Sequence, residues 1–249
     1  MAIEVFNRYE NKYLLDERTY SLLRDRFEAT MELDAYNKAF ETYPISNLYY
    51  DTTDNYLIRA SLSKPRYKEK VRIRAYGVPA SDGKVYAEIK KKVGGLVNKR
   101  RTALTLTDAY TFLKTAQPPE LQPCMNAQVL SELQYIAATR ELLPTAYLAY
   151  DRRAYFGGGD CGGGTDDLRV SFDANIRSRR YDLRLEAGDY GEQLLGGGQY
   201  IMEIKVARAI PPWLCRLLSE CKVYPQSFSK YGEEYKKRLR ENLPLAAAM

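Results

Sequence analysis

Charged and apolar residues alternate along parts of this chain, most clearly in the stretch 70–76, which reads Lys-Val-Arg-Ile-Arg-Ala-Tyr. Residues two apart in a β-strand share a face, so Arg72 and Arg74 would lie on one side and Val71 and Ile73 on the other. The guanidinium group forms paired hydrogen bonds to phosphate or carboxylate oxygens. The pattern therefore predicts an anion-binding strand, with a solvated basic edge strand as the alternative for this stretch alone.

The same alternation returns along the chain, with charged residues two apart and apolar residues between them. The charged sets are Arg8, Glu10 and Lys12; Arg72 and Arg74; Glu88 and Lys90; Lys99 and Arg101; Arg169 and Asp173; and Glu203 and Lys205. Two arrangements explain these strands. They are either the solvated faces of an open sheet covered by helices on its other side, or the lining of a closed barrel with helices outside and a charged, wet interior.

The cost of burying charge decides what the closed arrangement would need. A dry, unpaired charge costs several kcal/mol, whereas a whole domain is stable by only about 5–15 kcal/mol. A barrel lined with many basic groups could exist only if water and anions filled it. The closed arrangement therefore predicts a protein that binds polyanions along its length.

Hydrophobic periodicity and turn residues predict the elements of the fold. Strands are predicted over 4–15, 47–51, 66–76, 85–92, 97–106, 146–156, 168–174, 177–183 and 200–206. Helices are predicted over 17–30 after an Asp16 cap, and over 54–62, 109–115 after a Thr107 cap, 126–143, 211–221 and 229–242. A glycine-rich loop is predicted over 157–164, and a further loop over 188–198. The order of elements predicts an α+β fold with one large, mostly antiparallel sheet.

Composition narrows the chemistry. The chain has 249 residues and a formal net charge of +6, with carboxylates scattered among its basic residues, which favours a lined groove and an anionic partner. It contains no histidine, which excludes a Ser-His triad, a phosphohistidine intermediate and histidine-bound metals. Neither a repeat nor a linker interrupts the sequence, so we predict a single domain over residues 1–249.

A divalent cation would need hard oxygen ligands from Asp, Glu or a bound phosphate. That favours Mg²⁺ or Mn²⁺ over zinc. Glu203 is the best single candidate for a metal ligand, and an ion pair with a neighbouring Lys or Arg is the alternative. Ser229 and Lys230 at a predicted helix start offer a hydroxyl, an amine and free N–H groups to a phosphate, although Ser229 could equally be an ordinary helix cap.

The remaining signals point to a cytoplasmic protein. Four cysteines without CxxC spacing indicate reduced thiols, the first residues do not form a signal peptide, and no apolar run approaches a membrane span. The glycine-rich stretch 157–162 matches GxGxxG only because polyglycine matches any such pattern. Tyrosine is abundant, but basic residues alternate with apolar ones instead of lining an exposed platform, so we expect no nucleic-acid partner.

Seven motifs occur in order and together resemble the VTC domain. This is the polyphosphate polymerase domain of the vacuolar transporter chaperone complex and its bacterial relatives, within the CYTH or triphosphate tunnel superfamily. The motifs lie at residues 8–13, 71–74, 88–90, 150–152, 169–173, 202–205 and 229–231. The resemblance implies a closed antiparallel β tunnel barrel with a basic lumen and helices packed outside. It also implies transfer of the ATP γ-phosphate to a growing polyphosphate chain with Mn²⁺ or Mg²⁺.

The resemblance also implies residue roles. Catalytic phosphate contacts would come from Arg72, Arg74, Lys90, Arg152, Arg169 and Lys230. Further substrate contacts would come from Glu10, Lys12, Lys99, Arg101, Tyr150, Ser171, Lys205 and Ser229, and Glu203 would hold the metal. Which of Lys99, Arg100 and Arg101 faces the substrate stays open, since parity does not settle it. A membrane-protein partner that receives the polymer would hold the chain at the inner face of a membrane.

One departure bears on the reaction. Hydrolytic relatives carry a Glu-x-Glu-x-Lys strand, whereas this chain has Arg8, Glu10 and Lys12 at the corresponding positions. Replacing the first carboxylate with a cation leaves fewer ligands for a second metal and less to orient a water. This favours a polymerase over a tunnel triphosphatase. A polyphosphate-binding module without turnover is a further alternative, and the presence of Glu203 argues against it.

Overall fold

The computed structural model describes residues 5–94, 96–157 and 168–242, and within them the chain forms ten strands and six α-helices. The strands are β1 (Val5–Asp16), β2 (Met31–Leu33), β3 (Tyr43–Asp51), β4 (Tyr67–Tyr76), β5 (Lys84–Val93), β6 (Leu96–Thr105), β7 (Leu143–Gly157), β8 (Arg169–Arg179), β9 (Glu192–Gln193) and β10 (Gln199–Val206). The helices are α1 (Glu17–Thr30), α2 (Tyr56–Leu62), α3 (Leu106–Thr115), α4 (Ala127–Arg140), α5 (Pro212–Glu220) and α6 (Lys230–Asn242). None of these helices combines the length and apolar character that a bilayer crossing requires.

The strands form one antiparallel sheet in the order β2-β7-β3-β4-β5-β6-β1-β10-β8-β9. The long strand β7 pairs with β3 and also with β8, the second pairing running from Tyr147 opposite Arg179 to Phe156 opposite Arg169. Residues 77–83 connect β4 to β5, a short connection of the kind that antiparallel neighbours allow. The predicted α+β class with a large antiparallel sheet is therefore confirmed.

Two apolar clusters cover one face of the sheet. In the first, helices α3 and α4 contribute Phe112 and Leu133, which share a buried cluster with Val71, Ile73 and Ile89 from β4 and β5. These strand residues are the apolar members of the alternating pattern, so the face that packs is the one that the pattern predicts.

The second cluster lies under α1 and α5. Leu23 and Phe27 from α1 and Leu214 from α5 share it with Phe172 of β8 and Met202 of β10. With helices against both halves of this face, the alternate residues of the same strands point away from the helices. That opposite side of the sheet carries the charged residues, and we call it the charged face.

A third apolar cluster lies on the charged face and includes residues from helices α2 and α6. Ile58 of α2 and Tyr231 of α6 pack with Tyr49 of β3, and the rings of Tyr49 and Tyr231 stack with centroids 4.5 Å apart. The buried carboxylate of Asp51 accepts hydrogen bonds from the backbone N–H groups of Leu57 and Ile58 and from the Tyr231 hydroxyl. This carboxylate fixes the start of α2 and joins it to α6.

Several predicted boundaries need correction. The strand predicted over 177–183 is not separate, because β8 continues to Arg179 past a left-handed Asn175 (φ 48°). Helix α3 begins at Leu106, since Thr105 rather than Thr107 accepts the capping hydrogen bond, from the Asp108 N–H. The helix predicted over 126–143 ends at Arg140 because Glu141 takes a left-handed conformation.

The pattern also missed structure near β3. This strand begins at Tyr43 rather than at residue 47, and the short β2 was not predicted. The predicted glycine-rich loop lies outside the described residues after Gly157. The single-domain prediction remains a prediction.

Candidate functional site: the charged face of the sheet

Strand parity brings the predicted site residues onto one face. The charged face carries Glu10 and Lys12 (β1), Lys70, Arg72 and Arg74 (β4), Glu88 and Lys90 (β5), Lys99 and Arg101 (β6), Tyr150 and Arg152 (β7), Arg169, Ser171 and Asp173 (β8), and Glu203 and Lys205 (β10). Helix α6 adds Lys230, and Ser229 precedes that helix. The basic side chains clearly outnumber the carboxylates, as an anion-binding surface requires.

Glu203 lies at the centre of this face and contacts four cations. Its carboxylate oxygens lie 2.6 Å from the Lys205 Nζ atom, 3.3 Å from Lys12 Nζ, 3.4 Å from Lys230 Nζ and 3.8 Å from Arg152 Nη2. Burial would raise the pKa of Glu203, but the neighbouring lysines and Arg152 hold this pKa well below its usual range. The carboxylate is therefore ionised at neutral pH and paired with several cations.

Asp173 lies next to Glu203 and fixes two of the same cations. It accepts a paired hydrogen bond from the Arg152 guanidinium, with N···O distances of 2.6 and 2.8 Å, and an ion pair from Lys230. The Asp173 side chain is completely buried. Burial works against the charged form, yet Arg152 and Lys230 lower the pKa of Asp173. The aspartate therefore orients Arg152 and Lys230 without facing solvent.

Glu88 has the corresponding role on the β4–β6 side. Its oxygens lie 2.7 Å from Arg72 Nη2, 2.6 Å from Lys99 Nζ and 3.9 Å from Arg74 Nε. Burial would raise the pKa of Glu88, but the surrounding Arg74, Lys99 and Arg72 hold this pKa well below its usual value. This contact also answers the open question about β6, because Lys99 faces the charged face.

Arg100, by contrast, lies on the other face of β6. It forms an ion pair with Glu132 of α4. Arg101 shares the face of Lys99, and its guanidinium lies 4.6 Å from the centre of the Tyr86 ring. The structure thus assigns Lys99 and Arg101, not Arg100, to the charged face.

Tyr150 joins the two halves of the site. Its hydroxyl accepts a hydrogen bond of 3.1 Å from Arg74, and its ring lies 5.2 Å from the Arg152 guanidinium carbon and 4.5 Å from Lys230 Nζ. Burial would raise the pKa of Tyr150, but Arg74 and Arg152 lower it. The contacts around Glu88 and Glu203 therefore form one continuous network.

Glu10 extends the network toward β5. Its carboxylate lies 3.1 Å from Lys90 Nζ and 3.4 Å from Lys12 Nζ, and Lys12 in turn reaches Glu203. Burial opposes ionisation of Glu10, but Lys90 and Lys12 lower its pKa. The side chain of Arg8 lies outside what the structure describes.

Lys70 was not predicted as a site residue, although it shares the parity of Arg72 and Arg74. Its Nζ atom donates a hydrogen bond of 2.8 Å to the Ser229 hydroxyl, and that hydroxyl also caps α6 by accepting from the Gly232 N–H at 3.1 Å. Burial, together with the nearby Lys90 charge, lowers the pKa of Lys70 to about 7. The Ser229 side chain therefore serves both as a cap and as a contact of the site.

Two buried polar atoms of β8 have no hydrogen-bond partner within the described part of the chain: the Ser171 hydroxyl and the Nε atom of Arg169. Arg169 lies at the edge of the charged network, where its Nη2 atom contacts Asp34 at 3.2 Å. In the register of β8 and β10, Arg169 lies opposite Lys205 and Ser171 lies opposite Glu203. Because unpaired buried polar groups are costly, both atoms are suited to bind a polar ligand.

The donor set fits a divalent cation only in part. Across residues 5–94, 96–157 and 168–242, no group of three acidic or cysteine side chains comes together to form a complete protein site. Glu203 on β10 lies opposite Ser171 on β8, whose hydroxyl is unpaired. This region therefore offers a cation one carboxylate and one neutral oxygen. Magnesium commonly uses one or two carboxylates together with phosphate oxygens, and the residues here fit that mode alone.

The family model of the VTC domain matches residues 7–238. A search of curated proteins gave no match.

Solved structures similar to this chain share its fold. A candidate adenylate cyclase from Bacillus halodurans has a TM-score of 0.53 at 13% identity, with 91% of this chain and 96% of that chain covered. A candidate adenylyl cyclase from Hippeastrum, described as having a dominant triphosphatase activity, has a TM-score of 0.53 at 16% identity, with 98% and 99% covered. At these identities the likeness concerns the fold.

Proposed function

The chain belongs to the VTC domain family, and from this we propose that it is a polyphosphate polymerase that transfers the γ-phosphate of ATP to the end of an inorganic polyphosphate chain. The family and the fold support an enzyme that acts on phosphate compounds. The observation that carries the finer proposal is the continuous cationic network, which links seven strands and α6 through shared carboxylates and through Tyr150. A linear polyanion is the ligand whose charge distribution matches such a surface.

We propose further that the sheet closes around the charged face as a tunnel. The pairing of β7 with both β3 and β8 supports this arrangement. Phosphate groups and water inside the tunnel would neutralise the excess of cations. The unpaired Ser171 hydroxyl and Arg169 Nε would then gain partners.

The chemistry needs charge neutralisation and alignment more than it needs a base. The terminal oxygen of a polyphosphate chain is already ionised, so it attacks the γ-phosphorus without losing a proton. One P–O bond to ADP breaks as one P–O bond to the chain forms, and ADP leaves as the anion. In this proposal the reacting phosphates contact the six residues predicted as catalytic: Arg72, Arg74, Lys90, Arg152, Arg169 and Lys230.

The remaining predicted contacts would hold the rest of the substrate. Lys12, Lys99, Arg101 and Lys205 supply charge, Tyr150, Ser171 and Ser229 supply hydroxyl groups, and Glu10 orients Lys90 and Lys12. We propose Mn²⁺ or Mg²⁺ as cofactor, held by Glu203 together with phosphate oxygens. When bound, the cation would neutralise charge on the transferring phosphates.

A tunnel triphosphatase is the second candidate, and one observation favours it: the Hippeastrum protein of the same fold is described as a dominant triphosphatase. Arg8 at the position of a hydrolytic carboxylate favours the polymerase. The purified chain incubated with ATP and Mn²⁺ separates the two. We expect long polymer on a polyphosphate gel, and release of free phosphate without polymer would refute the polymerase.

Two substitutions test the residue assignments. We expect Arg72→Ala and Glu203→Ala each to abolish polymer synthesis while the fold survives. In Arg72→Ala, Glu88 still pairs with Lys99. In Glu203→Ala, Lys12 still pairs with Glu10, and Lys230 still pairs with Asp173. Circular dichroism checks the fold and the gel checks synthesis.

Arg153→Ala is the matched control, because Arg153 contacts Glu28 and the hydroxyl of Tyr155 on the helix-covered side. Normal synthesis by Arg72→Ala or Glu203→Ala would contradict the assignment.

Attachment of the chain to the inner face of a membrane through a partner protein remains part of the proposal.

A further inference from the structure

A group of tyrosines borders the charged face where β4 ends, and the proposed reaction leaves it without a role. We call Tyr36, Tyr43, Tyr76 and Tyr86 the tyrosine cluster. The rings of Tyr36 and Tyr76 stack with centroids 5.7 Å apart and an angle of 4° between their planes. Tyr43 lies 5.4 Å from Tyr36, and Tyr86 meets the edge of Tyr76 at 6.0 Å. The four rings therefore form one contiguous aromatic surface.

Much of this surface is open to solvent. Tyr36 is 59% exposed and Tyr76 is 38% exposed, whereas Tyr43 beneath them is only 6% exposed. Stacked aromatic rings that remain exposed and adjoin a charged site are typical of ligand-binding surfaces. The buried ring of Tyr43 gives the exposed pair a fixed base.

The tyrosine cluster lies a short, defined distance from the phosphate contacts. Tyr76 is two residues after Arg74 on β4, and Tyr86 is two residues before Glu88 on β5, so each lies on the charged face. Two residues of a strand span about 7 Å. That distance accommodates the ribose between a nucleobase and its phosphates.

Arg101 connects the cluster to the cations. It follows Lys99 by two residues on β6, and its guanidinium carbon lies 4.6 Å from the centre of the Tyr86 ring. An arginine held against an aromatic ring offers a second planar surface for stacking. Aromatic rings and a cationic edge are thus side by side at this end of the charged face.

We propose that the tyrosine cluster and Arg101 form the subsite for the nucleobase of a nucleoside triphosphate. This rests on the proposed function, in which ATP is the phosphate donor. The base stacks on the exposed rings of Tyr36 and Tyr76 while the phosphates extend toward Arg74 and Arg72. Because every base has a π face, the subsite accepts any nucleobase and adds affinity that inorganic tripolyphosphate lacks.

Calorimetric titration of the full chain tests this subsite with two probes: a non-hydrolysable ATP analogue with an imido β,γ bridge, and inorganic tripolyphosphate. We expect Tyr36→Leu and Tyr76→Leu to weaken binding of the analogue about tenfold, since loss of one stacking contact has about this effect. Binding of tripolyphosphate should stay unchanged. Tyr76→Phe keeps the ring and should bind the analogue as the wild type does.

Tyr224→Leu is the control, because Tyr224 is 68% exposed and lies outside the tyrosine cluster. Analogue binding that is unchanged in both cluster variants would overturn the subsite, and so would an equal loss of both probes, which indicates a structural role. Failure of the proposed function can be distinguished from failure of the subsite proposal. A wild-type chain that binds the analogue through these tyrosines but makes no polymer refutes the polymerase and leaves the subsite standing.

Discussion

The carboxylates of the charged face are each shared by more than one cation. Lys12 contacts both Glu203 and Glu10, and Lys230 contacts both Asp173 and Glu203. Breaking a buried ion pair costs about 3–5 kcal/mol when the remaining charge is left alone. Sharing avoids this cost for Lys12 and Lys230, because each of these two lysines keeps one carboxylate when the other is engaged elsewhere. These two lysines can therefore turn toward an entering phosphate and still keep an ion pair.

Lys70 is in a different situation, because its contact is the neutral hydroxyl of Ser229 and its neighbours include Lys90, Lys12 and Lys68. Burial lowers the pKa of Lys70 from 10.5 to about 7. Between these two values the unfolded chain binds more protons than the folded chain, so Lys70 makes stability rise with pH. Below pH 7 the folded chain bears the full cost of the buried charge.

We expect Lys70→Met to be more stable than the wild type below pH 7, because methionine removes a buried charge. The difference should shrink as the pH rises from about 7 to 10.5. Urea unfolding at a series of pH values in phosphate-free buffer measures it. Lys38→Met, at an exposed position, is the control. A difference that is constant with pH, or that grows as the pH rises, would contradict the assignment.

At the scale of elements, α6 contributes most to the site after the strands. Its first turn places Lys230 against Asp173 and Glu203, and the next residue, Tyr231, stacks on Tyr49 and donates a hydrogen bond of 3.0 Å to Asp51. The helix thus joins the charged network to the apolar cluster on the same face. Displacement of α6 would remove Lys230 from the network.

Tyr231→Phe tests this coupling. The substitution keeps the ring and removes one hydrogen bond to the buried Asp51 carboxylate. Hydrogen bonds to charged groups contribute about 1.5–3 kcal/mol, so we expect the free energy of unfolding to fall by that amount in urea. Tyr224→Phe, at an exposed position, should unfold as the wild type does. Equal stability of Tyr231→Phe and wild type would show that the Asp51 contact does not hold α6.

Strands in which charged and apolar residues alternate regularly could be predicted, and strands without this alternation could not. Strands β4, β5 and β10 alternate charged and apolar residues, so their extent and their faces followed from the sequence. Strand β3 is buried on both faces from Ile45 to Asp51, which removes the alternation of buried and exposed positions. The continuation of β8 past Asn175 depends on pairing with β7, a contact distant in sequence.

At the scale of the whole molecule, parity predicted which residues share a face but not which atoms meet across strands. The contact of Lys99 with Glu88 depends on the register of β5 and β6. The same register places Arg100 on the opposite face, where it pairs with Glu132. Lys70 has the correct parity, so a stricter use of the same rule would have found it. The tyrosine cluster depends on Tyr36, which belongs to a short 3₁₀ turn without a periodic signal.

The most direct test of the central claim compares neighbouring arginines on opposite faces of β7. Arg152 lies on the charged face and Arg153 on the helix-covered face. Calorimetric titration with tripolyphosphate should show Arg153→Ala binding as the wild type does. Arg152→Ala should bind about 10- to 100-fold more weakly, as expected for the loss of hydrogen bonds to a charged ligand. Equal binding by the two variants, or a loss confined to Arg153→Ala, would contradict phosphate binding on the charged face.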